Sequence, residues 1–383
     1  ETGESPGTVR LNQKIARKLP GNGDNAVFNL LRLQPGILAA GEQSRDLIIW
    51  GGYEGHSKVM FDGYTIYGLK NYNDNISAVN PYMAKDILVL KGGYGAEYGG
   101  RVGGIVDITG ISGDKKNPSI NLNINNMTLN GMASVPVLDN AALVIAFRRT
   151  YYNLYESEDL VVSSRPNTRN SQTDFTIIPD YTFGDFNLKF SGASDKRGNY
   201  YLSYYEGRDH FRYDIDQERD SVTVQQQVNE SNHQRAGAMH WDKSLGYRVH
   251  TDVTMSYTDY SSEYSMDQDV SGTTVDNVLF SRSGASSNYL SETGLWNNYT
   301  ISAGERYTHT LKTGIGVERN HILLQTSEND SSRINSDNST TRFSFYATDI
   351  IGAGSGIRLK PGIRVDYQGN INKVFIQPRF TIT

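Results

Sequence analysis

The carboxylates and histidines are the residues best suited to chemistry, and their spacing limits what they can do. Asp214, Asp216 and Asp220 could give oxygen ligands to a hard cation, but their stretch lacks the glycine and terminal glutamate of a calcium loop, which favours a solvated loop. No two histidines lie close enough in sequence to predict a zinc or haem site; they are His56, His210, His233, His240, His250, His309 and His321. No serine lies in a nucleophile-elbow motif. We therefore predict no enzyme, no catalytic residue, no metal and no cofactor.

A dense glycine run is the second feature with chemical meaning. Seven glycines fall between positions 92 and 104: Gly92, Gly93, Gly95, Gly99, Gly100, Gly103 and Gly104. A phosphate-binding loop would need a helix and a Lys-Ser/Thr pair after the glycines, whereas here Lys91 precedes them and a predicted strand follows. Only glycine lets a backbone approach another surface this closely. The run therefore predicts close packing, and Glu97 and Arg101 within it have the spacing of a local i,i+4 ion pair.

The segment around this run is predicted to be a small mixed α/β domain over residues 25–112, preceded by an exposed polar lead-in over residues 1–24. Apolar residues at helical spacing predict a helix after Asn25 that Pro35-Gly36 ends. Five short strands are predicted, with a hairpin turn at Asp62-Gly63; they cover Asp46–Trp50, Lys58–Phe61, Tyr64–Tyr67, Asp86–Leu90 and Ile105–Thr109. Asn80-Pro81 is expected to begin a helical turn that runs through Lys85.

From Pro118 the sequence alternates between apolar and polar residues up to its last residues, for example Ile120, Leu122 and Ile124 against intervening asparagines. Such alternation predicts β-strands with one apolar face. In a soluble sheet the apolar face would meet another sheet, whereas in a membrane barrel it would meet lipid and the polar face would line the lumen. Alternation alone leaves both architectures open.

Three further features favour the membrane barrel over residues 113–383. The strand segments run about nine to thirteen residues, near the length needed to cross a bilayer at a tilt. Aromatic residues gather at strand ends, as in interfacial girdles: Tyr151, Tyr152, Tyr155, Tyr181, Phe183, Tyr257, Tyr260 and Tyr367. Short connections at 138–140, 194–198 and 352–356 alternate with expected long loops around 156–178, 209–233, 263–285 and 326–340.

Composition agrees with this architecture. Hydrophobic residues make up 37% of the chain and the mean hydropathy is −0.52, so no apolar run is long enough for a transmembrane helix. The net charge of −5 predicts no nucleic-acid partner. Roughly twelve strands would close into a barrel about 24 Å wide, too narrow for the N-terminal domain, whereas twenty-two strands would give about 44 Å. If that domain fills a barrel, we expect residues 113–383 to form only the barrel's N-terminal portion.

Several motifs resemble the TonB-dependent outer-membrane receptors. They are VMFDGYTIYG, DILVLKGGYGAEYGGRVGGIVDITG, FRRTYYNLY, LKPGIRVDY and IQPRFTIT. The resemblance implies a 22-stranded antiparallel β-barrel in the outer membrane of a Gram-negative bacterium, with the N-terminal α/β domain as a plug in its lumen. It also implies uptake of a scarce ligand, of the iron-chelate, cobalamin or oligosaccharide class, with energy from a periplasmic TonB-type coupling protein.

The resemblance also assigns roles to residues. Plug motif residues are expected to contact the barrel: Asp62, Gly63, Lys91, Gly92, Gly93, Glu97, Tyr98, Gly99, Gly100, Arg101 and Gly104. Arg101 would pair with wall carboxylates, the alternative to its local pair with Glu97. Alternation places Arg148 towards the lumen, either as a plug contact or as general lumen polarity. Ligand contacts are expected at the outward tip of the plug, at Tyr53, His56, Tyr67 and Tyr72.

Two other functions remain open from the sequence. A plugged barrel could be a non-transporting scaffold subunit of a larger outer-membrane complex, with a surface lipoprotein or secretion proteins as partners. A soluble β-rich adhesin or enzyme would need none of the lipid contacts that the barrel interpretation requires. Extraction behaviour separates this last class from the first two, because only a membrane barrel needs detergent.

Overall fold

The computed structural model describes residues 7–12, 23–39, 46–69, 76–151, 160–164, 173–219, 222–272, 278–303, 308–352 and 356–383. These residues form a small α/β unit followed by a large antiparallel sheet. No helix among them is both long and apolar enough to span a bilayer.

The small unit, called the plug below, contains one helix and seven strands. They are β1 (Thr8–Asn12), α1 (Ala26–Arg32), β2 (Ile37–Leu38), β3 (Ile48–Ile49), β4 (Lys58–Phe61), β5 (Tyr64–Ile66), β6 (Ala84–Leu90) and β7 (Ile105–Gly110). Five of the strands form one sheet in the order β1-β6-β7-β4-β5, in which only β4 and β7 run parallel. The other two, β2 and β3, pair separately.

A conventional apolar core holds the plug together. One face of the sheet buries alternate residues of neighbouring strands, among them Val59, Val89, Val106 and Ile108, which are all at most 2% exposed. The helix α1 places Val27 and Leu31 in the same core. Because strand residues alternate between faces, the opposite face of the sheet keeps polar residues such as Lys58 and Asp107.

The plug corrects three sequence predictions. Residues 8–12 are the edge strand β1 rather than part of an exposed lead-in, because they satisfy the free backbone groups of β6. Residues 81–83 form a turn and β6 begins at Ala84, so the helical turn expected through Lys85 is wrong. The strand expected up to Trp50 ends at Ile49, since Trp50 has a positive φ of 54°.

The large sheet contains thirteen strands. They are β8 (Ser119–Ile124), β9 (Thr128–Leu138), β10 (Ala141–Thr150), β11 (Leu160–Ser164), β12 (Thr173–Ser194), β13 (Gly198–Arg219), β14 (Val222–Ser244), β15 (Val249–Gly272), β16 (Val278–Ala303), β17 (Thr308–Glu328), β18 (Ser331–Gly352), β19 (Arg358–Gln368) and β20 (Lys373–Ile382). Each pairs with its sequence neighbour, except that β10 and β11 lie end to end along the same side of β12. The sheet is thus twelve strands wide, as predicted, and β8 and β20 form its two edges in the described residues.

The strands are longer than predicted, and this removes most of the expected loops. Strands β12 to β18 have 21 to 26 residues and continue through most of the polar stretches 209–233, 263–285 and 326–340. Asn329 and Asp330, with φ of 47° and 59°, form a two-residue turn between β17 and β18. Polar residues on both strand faces resemble a loop in sequence, although the backbone ladder continues. Of the loop expected at 156–178, residues 160–164 and 173–178 are strand, and the rest lies outside the described residues.

The two faces of the large sheet have opposite chemistry. Outward residues are apolar and exposed, for example Leu202, Met239, Met255, Leu295, Ile315, Phe343, Phe345 and Ile376. Inward residues include charged groups that are at most 8% exposed: Arg148, Asp185, Lys189, Glu292, Glu318, Arg364 and Asp366. This is the pattern of a membrane barrel and the reverse of a soluble sheet. Three of the aromatics expected in girdles, Tyr181, Phe183 and Tyr260, instead lie on the inward face.

Candidate functional site

The candidate functional site is the interface between the plug and the inward face of the large sheet. Strands β9, β10 and β12 to β20 supply polar side chains that bond the plug. Four clusters, named below after one residue each, account for most of these contacts.

The Arg148 cluster joins two barrel strands to two plug segments. Arg148, on β10, is fully buried and donates from Nη2 to Asp185 Oδ2 on β12 at 2.5 Å. Its other bonds reach plug backbone, with Nη2 to the Ser77 carbonyl at 2.7 Å and Nη1 to the Asp24 carbonyl at 2.8 Å. The plug residue Asn80 donates to the second oxygen of Asp185 at 3.2 Å. Charge-assisted bonds of this kind are about twice as strong as neutral ones.

The Asp24 carboxylate completes this cluster. It accepts three bonds from the β8–β9 connection and β9: from Asn125 Nδ2 at 2.9 Å, Thr128 Oγ1 at 2.5 Å and Asn130 Nδ2 at 3.1 Å. A buried carboxylate is tolerated when hydrogen bonds and an opposite charge replace water. The cluster therefore fixes the start of α1 to the first strands of the barrel wall.

The Asp62 cluster lies at the β4–β5 turn. Asp62 Oδ1 accepts from Lys189 Nζ on β12 at 2.7 Å and from the Gly110 amide at 2.9 Å. Its Oδ2 accepts from Ser203 Oγ on β13 at 3.0 Å. The next residue, Gly63, has φ of 92° and sits where an added Cβ would come within 2.9 Å of Thr254 Cγ2. A left-handed backbone and close contact with the wall both favour glycine here.

The Glu292 cluster fixes β5 to the middle of the sheet. Glu292, on β16, accepts from Thr65 Oγ1 at 2.5 Å, from Lys58 Nζ at 3.1 Å and from Tyr67 OH at 3.1 Å. Gln234, on β14, donates to the Thr65 carbonyl at 3.0 Å and accepts from the Tyr67 amide at 3.1 Å. One barrel carboxylate and one barrel amide thus both bond Thr65, in the middle of β5, and Tyr67, directly after it.

The Arg364 cluster receives the glycine run. Arg364, on β19, is buried and donates from Nη1 to the carbonyls of Ala96 at 3.2 Å and Glu97 at 3.1 Å. A Cβ added to Gly99 would lie 2.3 Å from Arg364 Nε, and one added to Gly100 would lie 2.5 Å from Arg342 Nη1. The two glycines leave room for two barrel arginines. On β20, Arg379 Nη1 reaches the Gly95 carbonyl at 2.5 Å.

Other plug motif residues pack within the plug itself. Lys91 donates to the Pro35 carbonyl at 3.2 Å and lies 5.1 Å from the centre of the Trp50 ring. A Cβ on Gly104 would lie 2.2 Å from Ile49 Cδ1, so this glycine permits close packing inside the domain. Gly92 lies against Gly7, and Gly93 has φ of 64°. Tyr98 stacks edge-on against Tyr94, with 6.1 Å between ring centres, and burial raises the pKa of its phenol.

Neither ion pair expected for Arg101 forms among the described residues. Arg101 Nη1 donates to the carbonyl of its neighbour Gly100 at 3.1 Å. The wall carboxylate Glu318 is already bonded by Arg342 Nη2 at 2.7 Å and lies 3.9 Å from Lys58 Nζ. Glu97 faces Lys312 Nζ on β17 at 3.9 Å rather than Arg101. Arginines of the barrel therefore replace the expected arginine of the plug.

The expected ligand contacts do not converge. Tyr53 is 76% exposed and packs edge-on against His56, with 5.3 Å between ring centres. Tyr67 is bonded to Glu292 in the interface. Tyr72 lies outside the described residues. Sequence reasoning missed Lys189, Glu292 and Arg364, although the alternation that placed Arg148 inward also marks Lys189 between Leu188 and Phe190.

One plug carboxyl has an unusual environment. Asp107, on β7, is half-buried between Met60 and Leu88 of the neighbouring strands. Burial, with a smaller contribution from the charge of Asp62, raises the pKa of Asp107 to about 6. Within the described ranges, no group of three or more His, Asp or Glu side chains is placed to hold a metal ion.

Comparison with known proteins identifies the fold. Residues 9–105 match the family model described as TonB-dependent Receptor Plug Domain. A variant of the ferric enterobactin receptor of Pseudomonas aeruginosa is similar at TM-score 0.61 and 14% identity, covering 100% of this chain and 60% of its own. The outer membrane transporter YddB of Escherichia coli follows at TM-score 0.59 and 14% identity, covering 98% and 58%.

The ferric-catecholate import receptor Fiu of Escherichia coli has TM-score 0.57 and 13% identity, covering 98% of this chain and 61% of its own. No curated protein sequence matches significantly. The chain thus spans about three fifths of the length of these solved structures, and identities this low establish the fold alone. Residues 9–105 thus match a TonB-dependent receptor plug domain, and the whole chain shares the plug-and-barrel fold of these solved structures.

Proposed function

We propose that the chain forms the plug and the N-terminal barrel strands of an outer-membrane receptor that imports an extracellular ligand. A TonB-type protein in the periplasm would supply the energy, and the complete barrel would have the 22 strands of this family. The observation that carries the proposal is that side chains which water can replace supply the hydrogen bonds described between plug and wall. The apolar core of the plug also contacts the wall, at residues such as Ala146, Tyr205 and Ala236. Such a plug can move without unfolding first.

The described wall favours an uncharged ligand. Beyond the plug contacts, most inward residues of β13 to β17 are aromatic, aliphatic, hydroxyl or amide side chains, such as Phe211, Tyr264 and Ile322, and the charged ones nearest the plug are the carboxylates Asp209 and Glu230. Counting outward from the plug along these described inward positions, the first cationic side chain is Arg282. It lies near the end of β16 that is far from the plug, and it is paired with Glu328. Two of the similar structures carry names of ferric chelate receptors, yet an anionic ferric chelate would need cations here. A cobalamin or oligosaccharide fits this wall better.

A reversible disulfide between plug and wall tests transport. The chain has no cysteine, and a Cβ at Gly362 would lie 3.5 Å from Ala96 Cβ, within the range for a disulfide. We expect cells carrying Ala96→Cys with Gly362→Cys to lose uptake of labelled cobalamin or oligosaccharide when oxidised and to regain it with a reductant. Each single variant is the matched control. Uptake that continues with the disulfide formed would contradict transport by plug movement.

A scaffold function is the second candidate, favoured by the long hairpins of β13 to β18. Their ladders continue well past the outward apolar residues, so they present a large surface to partners such as a lipoprotein. A scaffold would keep its partners when the disulfide is formed. Loss of a co-purifying complex without any change in nutrient uptake, after deletion of residues 7–110, would favour this function over transport.

A further inference from the structure

Four exposed arginines lie on the outward face, and each follows the apolar part of its strand. They are Arg149 on β10, Arg208 on β13, Arg235 on β14 and Arg319 on β17. One end of each of these strands is linked to a neighbouring strand by a short connection. The arginine lies 8 to 11 residues from that end. At a rise of about 3.3 Å per residue and a tilt of about 40°, this corresponds to roughly 20–28 Å. The apolar band of an outer-membrane barrel is about 25 Å tall, so the arginines mark its outer boundary.

Two of these arginines flank a gap. Gly184, on β12, is the register partner of Arg149 on one side and of Arg208 on the other. With strands about 4.8 Å apart, the two arginine backbones lie about 10 Å from each other. A Cβ on Gly184 would contact only the Arg148 carbonyl at 3.5 Å, so no side chain fills the space between them. Two guanidinium groups can therefore approach one anion across the glycine.

The charges around the gap leave it positive. Arg208 Nη2 donates to Glu206 Oε1 at 2.6 Å, and the same carboxylate faces His233 Nε2 at 3.0 Å and Tyr204 OH at 2.9 Å. Arg149 is exposed and has no ion pair or side-chain hydrogen bond in the described part of the chain. The two positive charges of Arg149 and Arg208 thus exceed the single negative charge of Glu206. The bidentate geometry of arginine suits phosphate.

The surfaces on either side of the gap differ. Towards the membrane, Phe147 and Phe186 are register partners, with 41% and 39% of each side chain exposed. Away from the membrane lies an open groove of about 470 Å³ that crosses β14 to β18 and begins at Ser231, one strand beyond Arg208. Hydroxyl, amide and carboxylate groups such as Glu263, Gln325 and Asn335 line it. From the bilayer outwards, the wall is apolar, then cationic, then rich in groups that bond sugar hydroxyls.

We propose that Arg149, Gly184 and Arg208 bind the phosphate of a phosphorylated glycolipid in the outer leaflet. Its acyl chains would lie along Phe147 and Phe186, and its saccharide would extend towards the groove. The site is on the lipid side of the wall, away from the plug. It depends on insertion in the membrane and is independent of whether the protein transports a ligand.

Lipid binding to the full-length protein in neutral detergent tests the site. Native mass spectrometry would be used to titrate bisphosphorylated lipid A, the same lipid after enzymatic dephosphorylation, and phosphatidylglycerol. We expect lipid A to bind at least tenfold more tightly than either of the other two lipids. Equal affinity for dephosphorylated lipid A would show that the phosphate is not recognised and would overturn the proposal. Equal affinity for phosphatidylglycerol would also overturn it, because any anionic lipid would then bind equally well.

Three variants localise the effect. Arg149→Ala with Arg208→Ala should weaken lipid A binding at least tenfold, and Gly184→Leu should weaken it severalfold by filling the gap while keeping both charges. Arg282→Ala removes an exposed arginine at the far end of a hairpin, paired with Glu328, and should leave binding unchanged. Heat-modifiable migration on gels checks that each variant is folded. If the double variant binds lipid A like Arg282→Ala, the proposal is wrong.

Discussion

The core of the plug and its interface with the barrel are built from opposite materials. The core is apolar and nearly free of polar side chains, with Val27, Leu31, Val89 and Val106 fully buried. The interface adds charged and hydrogen-bonding groups such as Arg148, Lys189 and Glu292 to apolar contacts with wall residues such as Val144 and Tyr205. Apolar burial is non-directional and strong in sum, whereas a hydrogen bond exchanged for water contributes only about 0.5–1.5 kcal/mol net. The difference predicts that the plug detaches from the wall before it unfolds.

The largest effect is expected from Arg148→Ala. The substitution leaves the carboxylates of Asp24 and Asp185 buried without their cation, which typically costs about 3–5 kcal/mol. The urea concentration at which the plug leaves the wall should fall, while the core of the plug keeps its own stability. Single-channel conductance of the inserted protein in urea detects plug release. The double variant Arg148→Met with Asp185→Leu should lose less, and an equal loss would contradict this electrostatic account.

The substitution in the apolar core that corresponds to Arg148→Ala at the interface is Leu31→Ala, on α1. Leu31 is fully buried, so its truncation should cost about 2–5 kcal/mol through lost burial and a residual cavity. Amide exchange of Val89 and Val106 should become faster, and the disulfide between engineered cysteines at positions 96 and 362 should still form. Leu33→Ala is the matched control, because Leu33 is 63% exposed and its truncation should change neither readout. A large loss of plug stability with Leu33→Ala would contradict the assignment of the buried face of α1 to the core.

A pH-dependent effect of intermediate size is expected from Asp107. Its pKa is raised from 3.8 to about 6 in the fold, so the folded state holds the proton more firmly than the unfolded state. The free energy of unfolding of the plug is therefore highest below pH 4, falls as the pH rises to about 6, and stays lower above that. Each unit of pKa shift corresponds to about 1.4 kcal/mol, so the total loss is roughly 3 kcal/mol at most.

Asp107→Asn should remove this dependence. The variant should exceed the natural protein in plug stability at pH 7.5 and match it near pH 4, as measured by exchange of β7 amides with both proteins at the same pH. Asp139→Asn is the control, because Asp139 is an exposed carboxyl at the β9–β10 turn and its substitution should change plug stability at neither pH. Equal stability of Asp107→Asn and the natural protein at pH 7.5 would show that the carboxyl is better solvated than its surroundings indicate.

The smallest effect is expected at the tips of the hairpins. Arg282 and Glu328 form an ion pair at 2.9 Å, but about half of the arginine side chain is exposed. Exposed pairs contribute about 0–1 kcal/mol because water and salt screen them. Glu328→Gln should therefore leave both the release of the plug and its core stability within about 0.5 kcal/mol, as measured in the same urea titrations. A shift as large as that of Arg148→Ala would mean that the hairpins hold the plug.

The sequence predicted what local periodicity encodes. Alternation identified the twelve barrel strands, and helical spacing identified α1. The length of the barrel strands was missed because hairpins that contact water on both faces lose alternation while keeping their backbone ladder. The plug contacts of Lys189, Glu292 and Arg364 were missed because each joins residues more than a hundred positions apart, and only the folded chain brings them together. The plug motif predicted that Arg101 would pair with a carboxylate of the wall. It could not show that Arg342 already bonds the wall carboxylate Glu318 and that Lys58 lies close to it.

We expect the hydrogen bonds and ion pairs to the wall to be lost separately from the apolar core of the plug, although that core shares contacts with wall residues such as Val144 and Ala146. A urea titration of the full-length protein in detergent tests it with two readouts, the rate at which cysteines at positions 96 and 362 form a disulfide and the exchange of the Val89 and Val106 amides. We predict two transitions, with attachment lost at the lower urea concentration. Arg148→Ala should shift only the first and Leu31→Ala only the second. A single transition that both variants shift equally would contradict the account.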